Sequence, residues 1–404
     1  MKRPIDLQTR ELKLPHGFRY AGVACGIKAS GDPDLALITS DIPVAAAGVY
    51  TQNRVRASSI DWNEALTPSR DVCGVVVNSG NANACTGATG RSDTERMAEI
   101  AARRLNCPAE SVLVLSTGVI GQALPMDCVQ RGIEAACEQA ASGRDRFIQS
   151  ADAIRTTDAF GKWACRTIPL ASGSAVLAGM CKGAGMIGPQ LATMLAVLVT
   201  DAALAPEALD RALRVAVDES FNRISVEGHT STNDAVLLLS HPRGTPCVEA
   251  DDEAVFQRAL TELCIELAKM IPADGEGARH LIEIRVAGTA DDRQAESIAR
   301  TVGASPLVKT AVTGGDPNWG RIVSAAGYAG VPFEVRDLTL ILNGHTVFEG
   351  GQPARFDPPR VSQEMQEAEE VLIELTVGSG PGRARHWTSD LTVDYVRFNS
   401  EYTT

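Results

Sequence analysis

The stretch running from Lys182 through Gly183, Gly185, Gly188 and Pro189 to Thr193 constrains this chain more than any other. It leads straight into Met194-Leu195-Ala196-Val197-Leu198-Val199-Thr200, which stops at Asp201. A short, partly β-branched apolar run bounded by polar and breaker residues reads as a buried strand. A hydroxyl therefore stands at the mouth of a core strand. The loop feeding it can take unusual backbone angles at its glycines and is stiffened by its proline.

Two readings fit that arrangement, and spacing alone favours the plainer one, a Gly/Pro turn entering a core strand with Thr193 as its first residue. The chemical reading is a chain that cuts its own backbone between Ala192 and Thr193. A threonine hydroxyl is a weak nucleophile until a base takes its proton. The freed α-amino group titrates near ~8, so part of it is unprotonated at neutral pH and can serve as that base.

Other segments carry polar residues where strands end. Asp34–Thr39 reads as a strand after a turn. Val75-Val76-Val77 reads as a buried strand that empties into a loop, Asn78-Ser79-Gly80-Asn81-Ala82-Asn83. Such loops hold ligands in α/β proteins, although Asn and Gly dominate ordinary turns equally well. Ser92-Asp93-Thr94-Glu95 has the form of a capping box opening a helix with Met97, Ile100, Ala101 and Leu105 on one face. Val112–Leu115 reads as a strand delivering Ser116-Thr117-Gly118-Val119-Ile120-Gly121. A Thr hydroxyl beside a Gly N–H can hold an oxyanion, and the same residues equally make a strand-to-helix turn. Pro125 and Pro206 mark helix starts.

Thr156-Thr157-Asp158 is an N-cap pair by residue type. Asp274-Gly275-Glu276-Gly277 separates an apolar helix from the strand Leu281–Val286, and Glu276 there is by default a solvated turn residue. Gly315-Asp316-Pro317-Asn318-Trp319-Gly320-Arg321 braces either a pocket or an interface. Asn399 and Thr404 belong to a chain end, and chain ends ordinarily fray.

Taken together these blocks resemble the ornithine acetyltransferase (glutamate N-acetyltransferase) family over nearly the whole chain. The Lys-Gly-small-Gly-Met-Ile approach, the proline and Ala-Thr-Met-Leu match that family's self-cleavage signature. The resemblance implies an N-terminal-nucleophile architecture, with stacked sheets flanked by helices. It implies cleavage into fragments 1–192 and 193–404 that stay together, usually as a heterotetramer. Thr193 is then the nucleophile and Thr117 with Gly118 the oxyanion hole. Thr157, Lys182, Glu276, Asn399 and Thr404 contact substrate beside Thr193. The implied reaction moves acetyl from N-acetylornithine to glutamate through an acetyl-threonine ester, in arginine biosynthesis. Some family members also take acetyl-CoA as donor, and no residue here decides that point. The chain departs from the family pattern at His229, Ala235 and Arg279-His280, which leaves the acceptor open. A same-fold amidase or aminopeptidase, with water as acceptor, is the alternative. An uncut, non-catalytic binding protein is a third reading.

Composition narrows the remaining classes. With 44% hydrophobic and 22% charged residues, the 404-residue chain can bury a full core as one or two domains. A net charge of −12 and only 4% aromatics disfavour nucleic acid as a partner. No apolar run is long enough for a bilayer, and the start lacks a signal-peptide core. Ten cysteines without a Cys-x-x-Cys pair read as buried, reduced thiols of a cytoplasmic protein, with neither metal nor cofactor. Alternating strands and helices in both halves imply α/β or α+β layering.

Overall fold

The computed structural model describes residues 11–188, 194–246 and 250–401. The first elements are β1 (Phe18–Val23), β2 (Leu35–Tyr50), α1 (Ser58–Leu66), β3 (Ser69–Asn81), α2 (Gly87–Leu105) and β4 (Val112–Val119). Then follow α3 (Met126–Gln139), α4 (Arg144–Ala153), β5 (Lys162–Leu170), β6 (Gly173–Lys182), β7 (Leu195–Ala203) and α5 (Pro206–Asp218). Next come β8 (Ile224–Ser225), β9 (Ala235–Pro246), α6 (Ala250–Ala273), β10 (Leu281–Gly288), α7 (Asp292–Ala304), α8 (Pro306–Thr313) and α9 (Trp319–Gly327). The last are β11 (Thr339–Leu342), β12 (His345–Glu349), β13 (Gln352–Pro353), α10 (Pro358–Glu367), β14 (Glu370–Thr376), β15 (Gly380–Ser389) and α11 (Val393–Glu401). This is the mixed α/β architecture that the alternation of patterns implies.

The chain forms two compact units. The larger holds the described residues within 5–222 and 229–270, the smaller those within 223–228 and 271–402. In the larger unit an eight-stranded sheet runs β4-β3-β2-β9-β7-β6-β5, with β1 paired to β2. β7 pairs parallel with β9 and antiparallel with β6. Period-2 alternation splits the core between the two faces of the sheet. Val75, Val77, Leu113, Leu115, Val197 and Val199 pack into one cluster with Phe147 and Ile154. Val76, Val112 and Val114 pack into another with Met97, Ile100, Val129 and Ile133 of α2 and α3. Burial on both faces explains why the β7 sequence is apolar almost without interruption.

The smaller unit has a seven-stranded sheet in the order β13-β12-β11-β14-β10-β15-β8. Ile282, Ile284 and Val286 of β10 share its core with Ile298, Ala299 and Val302 of α7 and with Ile373 and Leu375 of β14.

Several expectations change. β3 does not end at Val77 but continues through Asn81, because Asn78, Ser79 and Gly80 stay paired with Ser116, Thr117 and Gly118 of β4. α2 begins at Gly87, so Ser92–Glu95 is no capping box. Thr94 lies inside the helix, where its buried hydroxyl donates to the Gly90 carbonyl at 3.0 Å. Thr156–Asp158 caps no helix and lies in an irregular link between α4 and β5. Of the nine described cysteines only Cys181 and Cys264 are buried, and Cys85 is exposed. Among the described residues no helix is long and apolar enough to cross a membrane, and no group of His, Cys, Asp or Glu is gathered to hold a metal.

Candidate active site

Ala192, Thr193 and Thr404 lie outside the described residues. The other candidates fall into two groups, one in each unit.

In the larger unit, β6 ends on Lys182 and β4 carries Thr117 and Gly118. Lys182 and Thr117 are both buried, and Lys182 Nζ donates to Thr117 Oγ1 across 3.4 Å. Gly118 adopts φ 133°, in the region that L side chains rarely enter. A Cβ there would fall on the Gly80 carbonyl carbon of β3, so the close approach of the two strands requires glycine.

Asp158 ties this corner together. Its Oδ1 accepts from Lys162 Nζ at 2.7 Å and from the Gly183 N–H at 2.6 Å. Its Oδ2 accepts from the Thr156 N–H at 3.0 Å, which closes the turn holding half-buried Thr157. Burial alone would push the Asp158 carboxyl up, but the charges of Lys162 and Lys182 and its hydrogen bonds hold it well below the usual carboxylate range. Two buried ammonium groups thus act on one carboxylate. Lys28, half-buried, donates from Nζ to the Pro33 carbonyl at 2.7 Å. Burial lowers its ammonium below the usual lysine range despite Asp34 beside it. Asp34 collects the backbone N–H groups of Cys25, Gly26, Ile27 and Lys28 and so fixes the turn that brings Lys28 to Gly80.

The link before β9 closes the same corner. Asn233 Nδ2 donates to the carbonyls of Ala82 (2.6 Å) and Ser116 (2.8 Å). Asp234, wholly buried, accepts the Met194 N–H on Oδ1 at 2.9 Å. Burial raises the Asp234 carboxyl well above its ordinary value, and the Met194 N–H and Lys182 offset only part of that. Ala235 is fully buried and pairs with both Tyr50 and Leu195, so its small side chain answers strand packing. His229 is exposed.

In the smaller unit, Asn399 of α11 donates from Nδ2 to Glu276 Oε2 at 3.0 Å, so two separately proposed substrate contacts meet. Arg279 and His280 turn to other carboxylates. Arg279 donates to Asp394 at 3.2 Å, and His280 Nδ1 lies 3.1 Å from Asp390 Oδ2. They border an open pocket of about 510 Å³ shared with Thr313, Gln366, Glu367 and Glu369.

Sequence reading missed Asp158, Lys162 and Asp234 as site residues. The signal was available for Asp158 in the Thr-Thr-Asp block and for Asp234 in the Asn-Asp pair. Nothing in the sequence marks Lys162, whose burial depends on where the chain turns after α4.

The family model for the ArgJ family matches residues 19–404. An arginine biosynthesis bifunctional protein ArgJ from Rhodopirellula baltica is 51% identical over 395 residues, covering 97% of this chain and 96% of that protein. A protein of the same name from Synechococcus sp. is 44% identical over 405 residues, 97% of each chain. Among solved structures, the bifunctional protein argJ of Bacillus halodurans is 37% identical and covers 50% of this chain and 96% of its own, with a TM-score of 0.48. An ornithine acetyltransferase of Mycobacterium tuberculosis, complexed with ornithine, is 40% identical over 43% of this chain and 92% of its own, with a TM-score of 0.39. A match along nearly the full length, at such identity, means that this chain belongs to the ArgJ family.

Proposed function

We propose that the chain is an acetyltransferase of arginine biosynthesis that moves an acetyl group from N2-acetylornithine to glutamate, after cutting itself between Ala192 and Thr193. The observation that carries this reading is the meeting of Lys182 with Thr117 beside the buried Asp158–Lys162 pair. Acyl transfer needs donors placed in advance for a developing oxyanion. Thr117 and Gly118 are buried or half-buried at the end of β4, and Lys182 keeps the surroundings positive.

In this mechanism the Thr193 hydroxyl, relieved of its proton by the residue's own α-amino group, attacks the acetyl carbonyl. Thr117 and the Gly118 N–H hold the oxyanion. The C–N bond breaks, the α-ammonium returns its proton to the leaving ornithine amine, and the acetyl group remains on Thr193 as an ester. Glutamate then attacks the ester through its amine and regenerates the hydroxyl. Thr157 and Lys182 hold the carboxylate of the acylated amino acid. Glu276 and Asn399 offer a paired anion and amide suited to an amine, and Thr404 is a further contact. No resident cofactor takes part, and acetyl-CoA is a second donor to be tested. The two fragments, 1–192 and 193–404, stay associated as a heterotetramer in the cytoplasm.

Intact mass of the purified protein tests the cut, with two species for the wild type and one for Thr193→Ala. Labelled N-acetylornithine with glutamate tests the transfer. Release of free acetate in place of N-acetylglutamate would make the protein a hydrolase instead.

A further inference from the structure

We propose that Asp390 is a positioning residue for acetyl transfer: it fixes the turn that carries Glu276 and so sets where the amine end of the acyl donor binds. The role rests on Glu276 as the substrate contact proposed above. Glu276 lies on the short link 274–280 between α6 and β10, with Gly275 and Gly277 on either side of it. Within the link the Ala278 N–H donates to the Gly275 carbonyl at 2.8 Å. A glycine-flanked turn does not by itself hold a carboxylate in one place. Its anchors come from the segment that follows β15.

Asp390 stands just after β15, and its carboxylate is fully buried. Oδ1 accepts the Arg279 N–H at 2.9 Å and the His280 N–H at 3.3 Å. Oδ2 lies 3.1 Å from His280 Nδ1 and accepts the Thr313 hydroxyl of α8 at 3.2 Å. The Asp390 N–H in turn donates to the His280 carbonyl at 3.1 Å. One carboxylate thus grips the end of the turn by two backbone groups and a ring, and braces it against α8. Two residues on, Thr392 Oγ1 donates to the Gly277 carbonyl at 2.7 Å and accepts the Tyr395 N–H of α11 at 3.2 Å. Gly277 takes φ 70°, and a Cβ there would fall 2.5 Å from the Tyr395 nitrogen, so the turn lies directly against α11. α11 then delivers Asn399 to Glu276.

Among these contacts Asp390 holds the turn most firmly. The Arg279–Asp394 ion pair is largely exposed, and such pairs contribute little. Thr392 meets the turn through one hydroxyl. Losing the Asp390 carboxylate would strip the partner from the Arg279 N–H, the His280 N–H and His280 Nδ1 together, and buried donors tolerate that badly. The turn would then relax, and a shift of about 1 Å in a binding group is enough to weaken its contact severely. An anchor for the fold alone would lower stability and slow every substrate alike. A positioning role follows the amine instead. N-acetylornithine keeps one free amine, on its side chain, whereas glutamate and N-acetylglutamate carry none there.

Steady-state kinetics and melting curves of Asp390→Ala, Asp390→Asn, Glu276→Gln and the double variant of Glu276→Gln with Asp390→Ala test this. Asp390→Ala should raise KM for N-acetylornithine about 30-fold or more and leave kcat within about 2-fold. Asp390→Asn keeps an acceptor for the two N–H groups but not for His280 Nδ1. Its KM should rise only about 5-fold, and it carries the test where Asp390→Ala does not fold. Acetyl exchange between N-acetylglutamate and labelled glutamate should stay within about 2-fold in both. The double variant should bind N-acetylornithine no worse than Glu276→Gln, because a residue acting through Glu276 then has nothing left to position. Exchange that falls as far as transfer, or two changes whose effects multiply, would make Asp390 an anchor of the fold only and overturn the role. So would a wild-type KM in both Asp390 variants beside a raised KM in Glu276→Gln. Glu276→Gln with a wild-type KM defeats the substrate-contact reading, and this role falls with it.

Discussion

Lys182 Nζ lies 3.4 Å from the Thr117 hydroxyl, although the two residues stand 65 positions apart in the chain. Antiparallel β6 ends where its partner β7 begins, with Lys182 opposite Leu195. The cation is thus fixed both to the proposed oxyanion residue and to the start of the strand that follows Thr193. Replacing it with methionine keeps the volume and removes the charge. Asp158 keeps Lys162 and the Gly183 N–H, so the fold should persist. Acetyl transfer by Lys182→Met should fall about 100-fold or more. Steady-state kinetics alongside a melting curve checks this, and near-wild-type transfer would remove Lys182 from the site.

Gly118 gives a sharper structural test. Its positive φ and its approach to the Gly80 carbonyl carbon leave no room for a methyl group. Gly118→Ala should cost about 3 kcal/mol or more of stability, as strained backbone and a core clash add. It should abolish transfer in whatever fraction remains folded. Denaturant titration measures the first effect. A variant with unchanged midpoint would mean that β3 and β4 do not approach as described.

A pH effect follows from His386 in the smaller unit. Burial pushes its imidazole down to about 3, with Arg300, Lys309 and Arg223 adding to the shift, and Ser225 Oγ meets its Nε2 at 2.9 Å. The folded state therefore binds this proton less readily than the unfolded chain, whose histidine titrates near ~6.5. The stability contribution is complete above that value and is lost as pH falls from there toward about 3. One such group contributes a slope of at most about 1.4 kcal/mol per pH unit. Denaturant midpoints at pH 7, 6 and 5 should decline for the wild type and decline less steeply for His386→Gln. Equal slopes would refute the assignment.

What the sequence made legible divides along physical lines. Where apolar periodicity and a proline coincide, as in α3 and α5, the elements stand where the pattern puts them. β7 is legible because burial on both faces leaves few polar residues in it. β3 is legible only in part, since periodicity stops with Val77 while backbone pairing with β4 carries the strand on through Asn81. The Asp158–Lys162 pair was hidden by its spacing. Four residues apart, such a pair resembles solvated charges on a helix surface, whereas both side chains here are fully buried. The meeting of Glu276 with Asn399 joins blocks 123 residues apart, which only tertiary structure can reveal.

The order of strands in the larger sheet bears on what becomes of a severed chain. β9 and β7 belong downstream of Thr193, yet they lie between β2 and β6, which belong upstream. Once cut, each piece would be the missing middle or the missing flanks of the other's sheet, with raw ladder edges wherever they parted. Neither half is an independent module that could be exchanged or recruited late, so a cut there would have to come after folding and would leave an interlaced pair.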